Sequence, residues 1–289
     1  MALTFNKTIL IASESPDLYT TKRLLLEAKN LKFKAQWMNP YESLIPINQK
    51  HSPINSSQGL YFFRTTGIRY DEFDILLAIH HQKSGFKITN PISVLDTFRN
   101  KDKQMLFFEQ NKIPLIDTIV YRGVLNEKNW GQIKKLSPKG KFILKMNRGN
   151  QGIGVNLIES LPSLKSVLET FHAMRDQKFL IQPFVEHKKE WRVFVVRQEI
   201  IGVIERTISD SDFRGNSNRS SGKLIKKISK EIQEEILRAV QLSGLDYCGV
   251  DIMETSKGFL FLEINSVPGF EQMEELTGLN IARELITKL

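Results

Sequence analysis

Asp251, Glu263 and Asn265 are three oxygen-bearing side chains that the sequence can bring to one face of a β-hairpin. Val250 to Met253 and Phe259 to Ile264 have strand composition, and the polar residues between them end in Gly258. With Ser256, Lys257 and Gly258 as a three-residue loop, Thr255 pairs with Phe259 and Asp251 stands opposite Glu263. Asn265 shares the face of Glu263 because side chains alternate along a strand. Hard oxygen ligands from one or two carboxylates, completed by phosphate oxygens, are what Mg²⁺ takes in nucleotide enzymes. An amphipathic hairpin with one wet face shows the same alternation, so the rest of the chain has to decide between the two.

A second chemical candidate lies upstream. Lys139 to Lys145 reads as a strand ending in a lysine, followed by a stretch that carries Gly149, Gln151, Gly152, Ile153 and Gly154. It matches neither the P-loop nor the dinucleotide fingerprint, because a strand, Val155 to Ile158, follows it where those motifs need a helix. A glycine-rich loop between antiparallel strands can lay its amides over phosphates, as in kinases, although many glycine loops are plain turns. His80 and His81 are adjacent on an expected helix, about 100° apart, and make a poor metal pair.

The elements that must hold these groups follow from periodicity. Thr8 to Ala12, a helix from Leu18 to Ala28, and Lys32 to Trp37 form a strand–helix–strand unit, which argues for a parallel α/β sheet. Leu60 to Phe63, a helix from Asp71 to His81, and a strand from Gly85 to Pro91 extend it. One helix is expected from Ser93 to Gln110, with Asn100 to Lys103 as its charged stretch; short strands and turns are expected from Ile113. Leu164 to Arg175 is helical, and Phe179 to Val185 is a strand interrupted by Pro183. Glu190 to Arg197 and Glu199 to Thr207 form a hairpin through Gln198. Ser209 to Gly222 is a polar loop of the length that is usually functional or disordered. Ser229 to Ser243 is an amphipathic helix, and Asn280 to Leu289 a terminal one.

The chain has 289 residues, enough for about two domains. Hydrophobic residues make up 41% and charged ones 25%, an ordinary globular balance. No apolar run approaches the roughly 20 residues of a membrane span and no signal peptide is visible, so a cytoplasmic location without membrane contact is expected. A single cysteine, Cys248, excludes an internal disulfide and a cysteine-rich zinc site. The net charge of +9 suits anionic partners without choosing among nucleotide, acidic peptide and nucleic acid.

Lys103, Lys145 with Gly149 to Gly154, Gln182 to Val185, Glu190 to Arg192, Glu205-Arg206, Asp212 to Asn216 with Arg219, Asp251, and Glu263 to Phe270 occur in the order and spacing of an ATP-grasp ligase. More closely, the chain resembles the RimK-type α-L-glutamate ligases over nearly its whole length, including Leu18 to Arg23 and Arg64 to Gly67. The resemblance implies an α/β and α+β protein. Its parts are an N-terminal open α/β (preATP-grasp) domain over residues 1–92, a central region with the lid and glycine-rich loop over 93–180, and a C-terminal α+β domain with the metal hairpin over 181–289.

It further implies ATP with Mg²⁺ or Mn²⁺, two ions in all, held by Asp251, Glu263 and Asn265. The expected nucleotide contacts are Lys103, Lys145, Gly149, Gln151, Gly152, Ile153, Gly154, Gln182, Pro183, Phe184, Val185, Glu190, Arg192, Arg214, Gly215 and Asn216, with Arg206 and Arg219 stabilising the transferred phosphoryl. The implied reaction joins glutamate, or a related amino acid, to a peptide or protein C-terminus such as that of a ribosomal protein, or polymerises it. A homo-oligomer is compatible with the family. Pro183 and Glu190 stand where relatives carry an acidic residue and a shorter Asp, which implies adenosine contacts that differ in detail. Ser220-Ser221 stand where relatives often carry a glycine pair next to the acceptor, which opens the question of substrate more than of reaction type. Other readings are a ligase for another amino acid or small metabolite, a non-catalytic nucleotide-binding regulator, or a nucleic-acid binder with strongly salt-dependent affinity.

Overall fold

The structure, a computed structural model, describes residues 8–47, 59–69, 71–149, 152–174, 178–187, 189–207, 222–224 and 228–289. Its first unit contains β1 (Thr8–Ala12), α1 (Tyr19–Asn30), β2 (Lys34–Met38), β3 (Gly59–Phe63), α2 (Phe73–Lys83) and β4 (Phe86–Thr89). The strands pair in parallel in the order β2-β1-β3-β4. Ile9, Leu10, Ile11, Tyr61, Phe62 and Phe63 are all buried, as expected of parallel strands covered on both faces. His81 is half-buried and packs against Tyr61 and Phe86, and this burial lowers its pKa to about 4.

The single helix expected from Ser93 to Gln110 is two helices, α3 (Ile92–Phe98) and α4 (Lys101–Gln110). Asn100 between them has extended backbone angles. The break has a physical cause, since the first amides of a helix lack partners within it. Here the amides of Lys101 and Asp102 donate to the carbonyl and the side-chain oxygen of Asn147, both at 3.0 Å. A residue 45 positions away therefore starts α4.

The second unit holds β5 (Ile119–Tyr121), α5 (Glu127–Leu136), β6 (Phe142–Met146), β7 (Val155–Ile158), α6 (Leu161–Met174) and β8 (Phe179–Pro183). Its sheet is antiparallel in the order β5-β8-β6-β7. Helix α5 falls where only strands and turns were expected. Gly131 in its middle lowers its helical propensity, but Asn126 and Asn129 form a reciprocal capping box at its start. The expected boundary between residues 180 and 181 lies inside β8.

The third unit comprises β9 (Lys189–Val196), β10 (Glu199–Thr207), β11 (Gly222–Leu224), α7 (Lys230–Ser243), β12 (Tyr247–Thr255), β13 (Gly258–Asn265), α8 (Glu271–Thr277) and α9 (Ile281–Lys288). Its antiparallel sheet runs β11-β10-β9-β12-β13. Arg197 and Gln198 both have positive φ, 48° and 64°, the geometry of a two-residue hairpin turn that matches strand twist. Alternation along β9 divides the core. Val193 and Val195 pack with Phe98, Met105 and Phe108 of α3 and α4, whereas Phe194 and Val196 pack with α9 and with Ile9, Leu24 and Phe62 of the first unit. Helix α4 thus shares the core of the third sheet, whereas α3 straddles two cores, with Phe98 in that one and Leu95 packed among the strands of the first unit. Cys248 is buried in the same core, and burial raises its thiol pKa.

Candidate active site

A cavity of about 670 Å³ opens where the three units meet. The second unit lines it with Ile143 and Lys145 of β6, Gly149, Gly152 and Ile153 of the glycine-rich loop, and residues 182–185. The third contributes Glu190 and Arg192 of β9, Arg206 of β10, Leu262, Glu263 and Asn265 of β13, and Glu271, Gln272 and Glu275 of α8. Tyr19, Thr20, Arg64 and Thr66 come from the first unit, and Lys101 from α4. Gly154 lies just outside. Its φ of +77° and the approach of Met146, whose sulfur would come within 2.8 Å of an added Cβ, make glycine necessary there.

The hairpin register reaches the expected pairing by an unexpected route. Thr255 pairs with Gly258 rather than Phe259, so the loop is the two residues Ser256 and Lys257. That shortening alone would place Asp251 opposite Leu262. A one-residue bulge at Leu262 compensates, and Asp251 stands opposite Glu263 after all. Gln104 of α4 fixes the strand beyond the bulge, because its side chain accepts from the Ile264 amide at 2.6 Å and donates to the Ile264 carbonyl at 3.2 Å. Glu263 and Asn265 consequently face the cavity together.

Asp251 is more deeply placed, at 1% exposure, and accepts from Arg192 Nε at 2.7 Å and Nη2 at 2.5 Å. Arg206 Nη1 lies 3.5 Å from it. Among the described residues no group of three or more His, Cys, Asp or Glu gathers as a metal cage. The donor chemistry nevertheless fits a hard cation, since Glu263 and Asn265 offer oxygens to the cavity and the Glu263 side chain makes no hydrogen bond or ion pair among the described residues. Asp251 adds a ligand oxygen only if the Arg192 fork turns away.

The helix break exchanges one lysine for another. Lys103, expected at the phosphates, points away from the cavity and ion-pairs with Asp96 on the surface. Lys101 takes the cavity position and donates to the carbonyl of Gly149 at 3.1 Å. Residues 101 and 103 lie about 200° apart on a helix, so only one of them can face the nucleotide loop. The stem of that loop is tied down beside it, with Arg148 Nε donating to Asn100 Oδ1 at 2.8 Å, Nη1 to the Gly67 carbonyl at 3.3 Å, and Nη2 pairing with Glu72.

The field in the cavity is set by close, unequal charges. Burial and the neighbouring Lys101 lower the pKa of Lys145 to about 8, against the pull of Glu263, Glu190 and Asp251. Burial and Arg192 lower that of Arg206 to about 10. Arg192 loses by burial but gains more from Asp251, and its pKa is raised. Glu190 meets His187 Nε2 at 3.0 Å, while His187 Nδ1 meets the Val185 carbonyl at 2.8 Å. Burial opposes the imidazolium, but these two contacts outweigh it and raise the His187 pKa.

Of the expected residues, Lys145, Gly149, Gly152, Ile153, Gln182, Pro183, Phe184, Val185, Glu190, Arg192, Arg206, Glu263 and Asn265 line one cavity. Gln151, Arg214, Gly215, Asn216 and Arg219, with Ser220 and Ser221, lie outside the described residues. Sequence reasoning gave no role to Lys101, His187, Glu271, Gln272 or Glu275. Only Lys101 had a legible signal, the Asn100 that precedes it as a potential helix start.

Comparison with known proteins places the chain among ligases. Residues 98–289 match the family described as RimK-like ATP-grasp domain. A probable alpha-L-glutamate ligase 1 of Shewanella amazonensis is 26% identical over 286 residues, covering 96% of this chain and 93% of its own. Among solved structures, a RimK domain protein ATP-grasp from Sphaerobacter thermophilus superposes with a TM-score of 0.72 at 15% identity, covering 98% of this chain and 99% of its own. The ATP-grasp ligase PsnB, in complex with a minimal precursor, Mg and ADP, gives 0.72 at 15% identity, with 99% and 97% covered.

Proposed function

Because the chain belongs to the RimK-like ATP-grasp family and is an ADP-forming ligase, we propose that its cavity binds ATP with Mg²⁺ and joins an amino acid, glutamate by the name of its relatives, to a peptide or protein carboxylate. The observation that carries this reading is the convergence of Lys101, Lys145 and the glycine-rich loop on Glu263 and Asn265 in one cavity.

A carboxylate is a poor electrophile until phosphorylation gives it a leaving group. In the first step its oxygen attacks the γ-phosphorus of ATP and ADP leaves, forming an acyl phosphate. In the second an amine attacks the acyl carbon, phosphate departs with the bonding pair, and the nitrogen loses a proton. The protein's part is alignment and charge neutralisation rather than covalent chemistry. Lys101 and Lys145 neutralise phosphate oxygens, and Arg206 meets charge on the transferred group. Residues 182–185 and Ile143 form the slot for the base, and Glu190, oriented by His187, faces the ribose. Glu263 and Asn265, joined by Asp251 if the Arg192 fork turned away, would hold the metal, which would supply positive charge to neutralise the phosphates. Gly149, Gly152 and Ile153 shield the acyl phosphate from water.

The test is ADP release measured across a panel of amino acids and acidic peptides. Release that requires both an amino acid and a carboxylate acceptor, and that Glu263→Ala abolishes, is the expected result. ATP binding without acceptor-dependent release across the panel would refute the ligase assignment in favour of a nucleotide-binding regulator.

A further inference from the structure

Among the described residues, several guanidinium groups withdrawn from solvent are answered by carboxylates. Arg99 pairs with Asp74 at 2.7 Å, Arg192 with Asp251 at 2.5 Å, and Arg148 with Glu72. Arg64 is different. It is only 7% exposed and lines the cavity, yet its hydrogen-bond partners among the described residues are neutral. Nη1 donates to the Tyr247 hydroxyl at 3.3 Å and Nη2 to the Pro268 carbonyl at 2.9 Å, while the Phe270 ring centroid lies 6.0 Å from the guanidinium carbon. Its Nε is buried with no acceptor, and it makes no ion pair among the described residues. A buried cation without a counter-ion is costly, and a site is kept in that state when a ligand supplies the anion.

A second feature faces the same cavity. Leu18, Tyr19 and Thr20, at the start of the 12-residue helix α1, line it. That start has no side-chain cap and no acidic residue in its first turn. Unsatisfied amides and the positive end of the helix dipole therefore point towards an anion. Thr20 and Thr66 add hydroxyl donors. The neighbouring wall has the opposite sign. Glu271 and Glu275, one turn apart on α8, line the cavity, and Glu271 lies close enough to Tyr19 to add to the negative field on its hydroxyl.

We propose that Arg64 and the uncapped start of α1 receive a non-reacting carboxylate of the amino-acid substrate, while Glu271 and Glu275 face its amino group. The inference rests on the ligase reading and specifies the substrate class, an amine next to or near a carboxylate that is not itself activated. A guanidinium fork would draw charge from a carboxylate that had to attack phosphorus, so the anion it holds is one that stays intact. The carboxylate has two sources in glutamate, the α-carboxylate and the side chain.

Calorimetric titration of the ADP- and Mg²⁺-loaded full chain with L-glutamate, L-glutamine, L-glutamic acid α-amide and glutarate separates them. L-glutamate is expected to bind, glutarate to bind more weakly for want of an amine, and one of the two amides to lose about 30-fold or more in affinity, identifying the carboxylate held. Arg64→Met is expected to lose a similar factor for L-glutamate, with ADP affinity within about 2-fold of wild type, and to unfold at the same or a higher temperature when no ligand is present. Arg64→Lys should recover part of the affinity, since it restores charge without the fork. The proposal is overturned if wild type binds none of the carboxylates, if both amides bind as tightly as glutamate, or if Arg64→Met binds glutamate normally or loses ADP in parallel. Should Arg64→Met not fold, the amide series on wild type decides. Intact glutamate binding without ADP release would leave this receptor standing and remove the ligase reading instead.

Discussion

Asp74 and Arg99 on one side, and Lys145, Arg64 and Glu263 on the other, are charges withdrawn from bulk water and handled in opposite ways. Asp74 is fully buried and accepts from Arg99 Nη1 and Nη2 at 3.3 and 2.7 Å, from Thr65 at 2.5 Å, from Tyr41 at 3.2 Å and from the Ile75 amide at 2.8 Å. It joins the first unit to the hinge before α4, and Gly67 packs so tightly on Arg99 that an added Cβ would fall 2.1 Å from Nε. Around the cavity, the side chains of Lys145 and Glu263 make no hydrogen bond or ion pair among the described residues, and the side chain of Arg64 has only neutral hydrogen-bond partners there. Charges neutralised within the chain hold the units together. Those left without a partner weaken the fold locally and show where a charged ligand belongs.

The comparison breaks first at Glu263. Replacing it with alanine should lower acceptor-dependent ADP release by about 10³-fold or more, while thermal unfolding without ligand occurs at the same or a higher temperature. A large fall in stability would mean that Glu263 belongs with Asp74 as a structural charge. Arg99→Met should do the reverse, costing roughly 3 kcal/mol in urea unfolding because it strands the Asp74 carboxylate. In the double variant with Asp74→Asn the two losses should not add, which a coupling cycle measures directly.

How much of this was legible in the sequence depended on distance along the chain. The parallel and antiparallel elements followed from local periodicity, and the order of motifs identified the family. The break before α4 did not, because the acceptors for its first amides come from Asn147. A pattern confined to residues 93–110 is consistent with one continuous helix. The hairpin shows a subtler limit: its composition fits a three-residue loop, whereas the two-residue turn and the bulge at Leu262 offset each other and bring Asp251 opposite Glu263. The lack of a counter-ion at Arg64 was beyond sequence altogether, since its side-chain partners Tyr247 and Pro268 lie 183 and 204 positions away along the chain.

The exchange of Lys103 for Lys101 sharpens the contrast within a single helical turn. Lys103 pairs with Asp96 at the surface, where such pairs contribute about 0–1 kcal/mol, whereas Lys101 reaches Gly149 inside the cavity. Lys101→Ala should raise the KM for ATP by about 30-fold, the effect of losing one charged phosphate contact. Lys103→Ala should leave it within about 2-fold of wild type. Equal effects from the two would put the nucleotide on the other side of α4 from the cavity.

The smallest expected effect separates the two roles of one charge. Lys145 has a pKa near 8 in the folded protein, lowered from 10.5 by burial and by Lys101. Between those values the folded state binds fewer protons than the unfolded chain, so this group makes the protein more stable as pH rises through that window. Nucleotide binding has the opposite sign, because phosphate oxygens require the ammonium form. ADP affinity at constant Mg²⁺ should be level below pH 8 and fall above it, approaching tenfold per pH unit. Lys145→Arg, charged throughout, should flatten both dependences while keeping the cation. A wild-type affinity that stays level from pH 7 to 9.5 would place the phosphates away from Lys145. A stability that falls over the same range would mean that the lysine is paired within the chain, as Arg99 is.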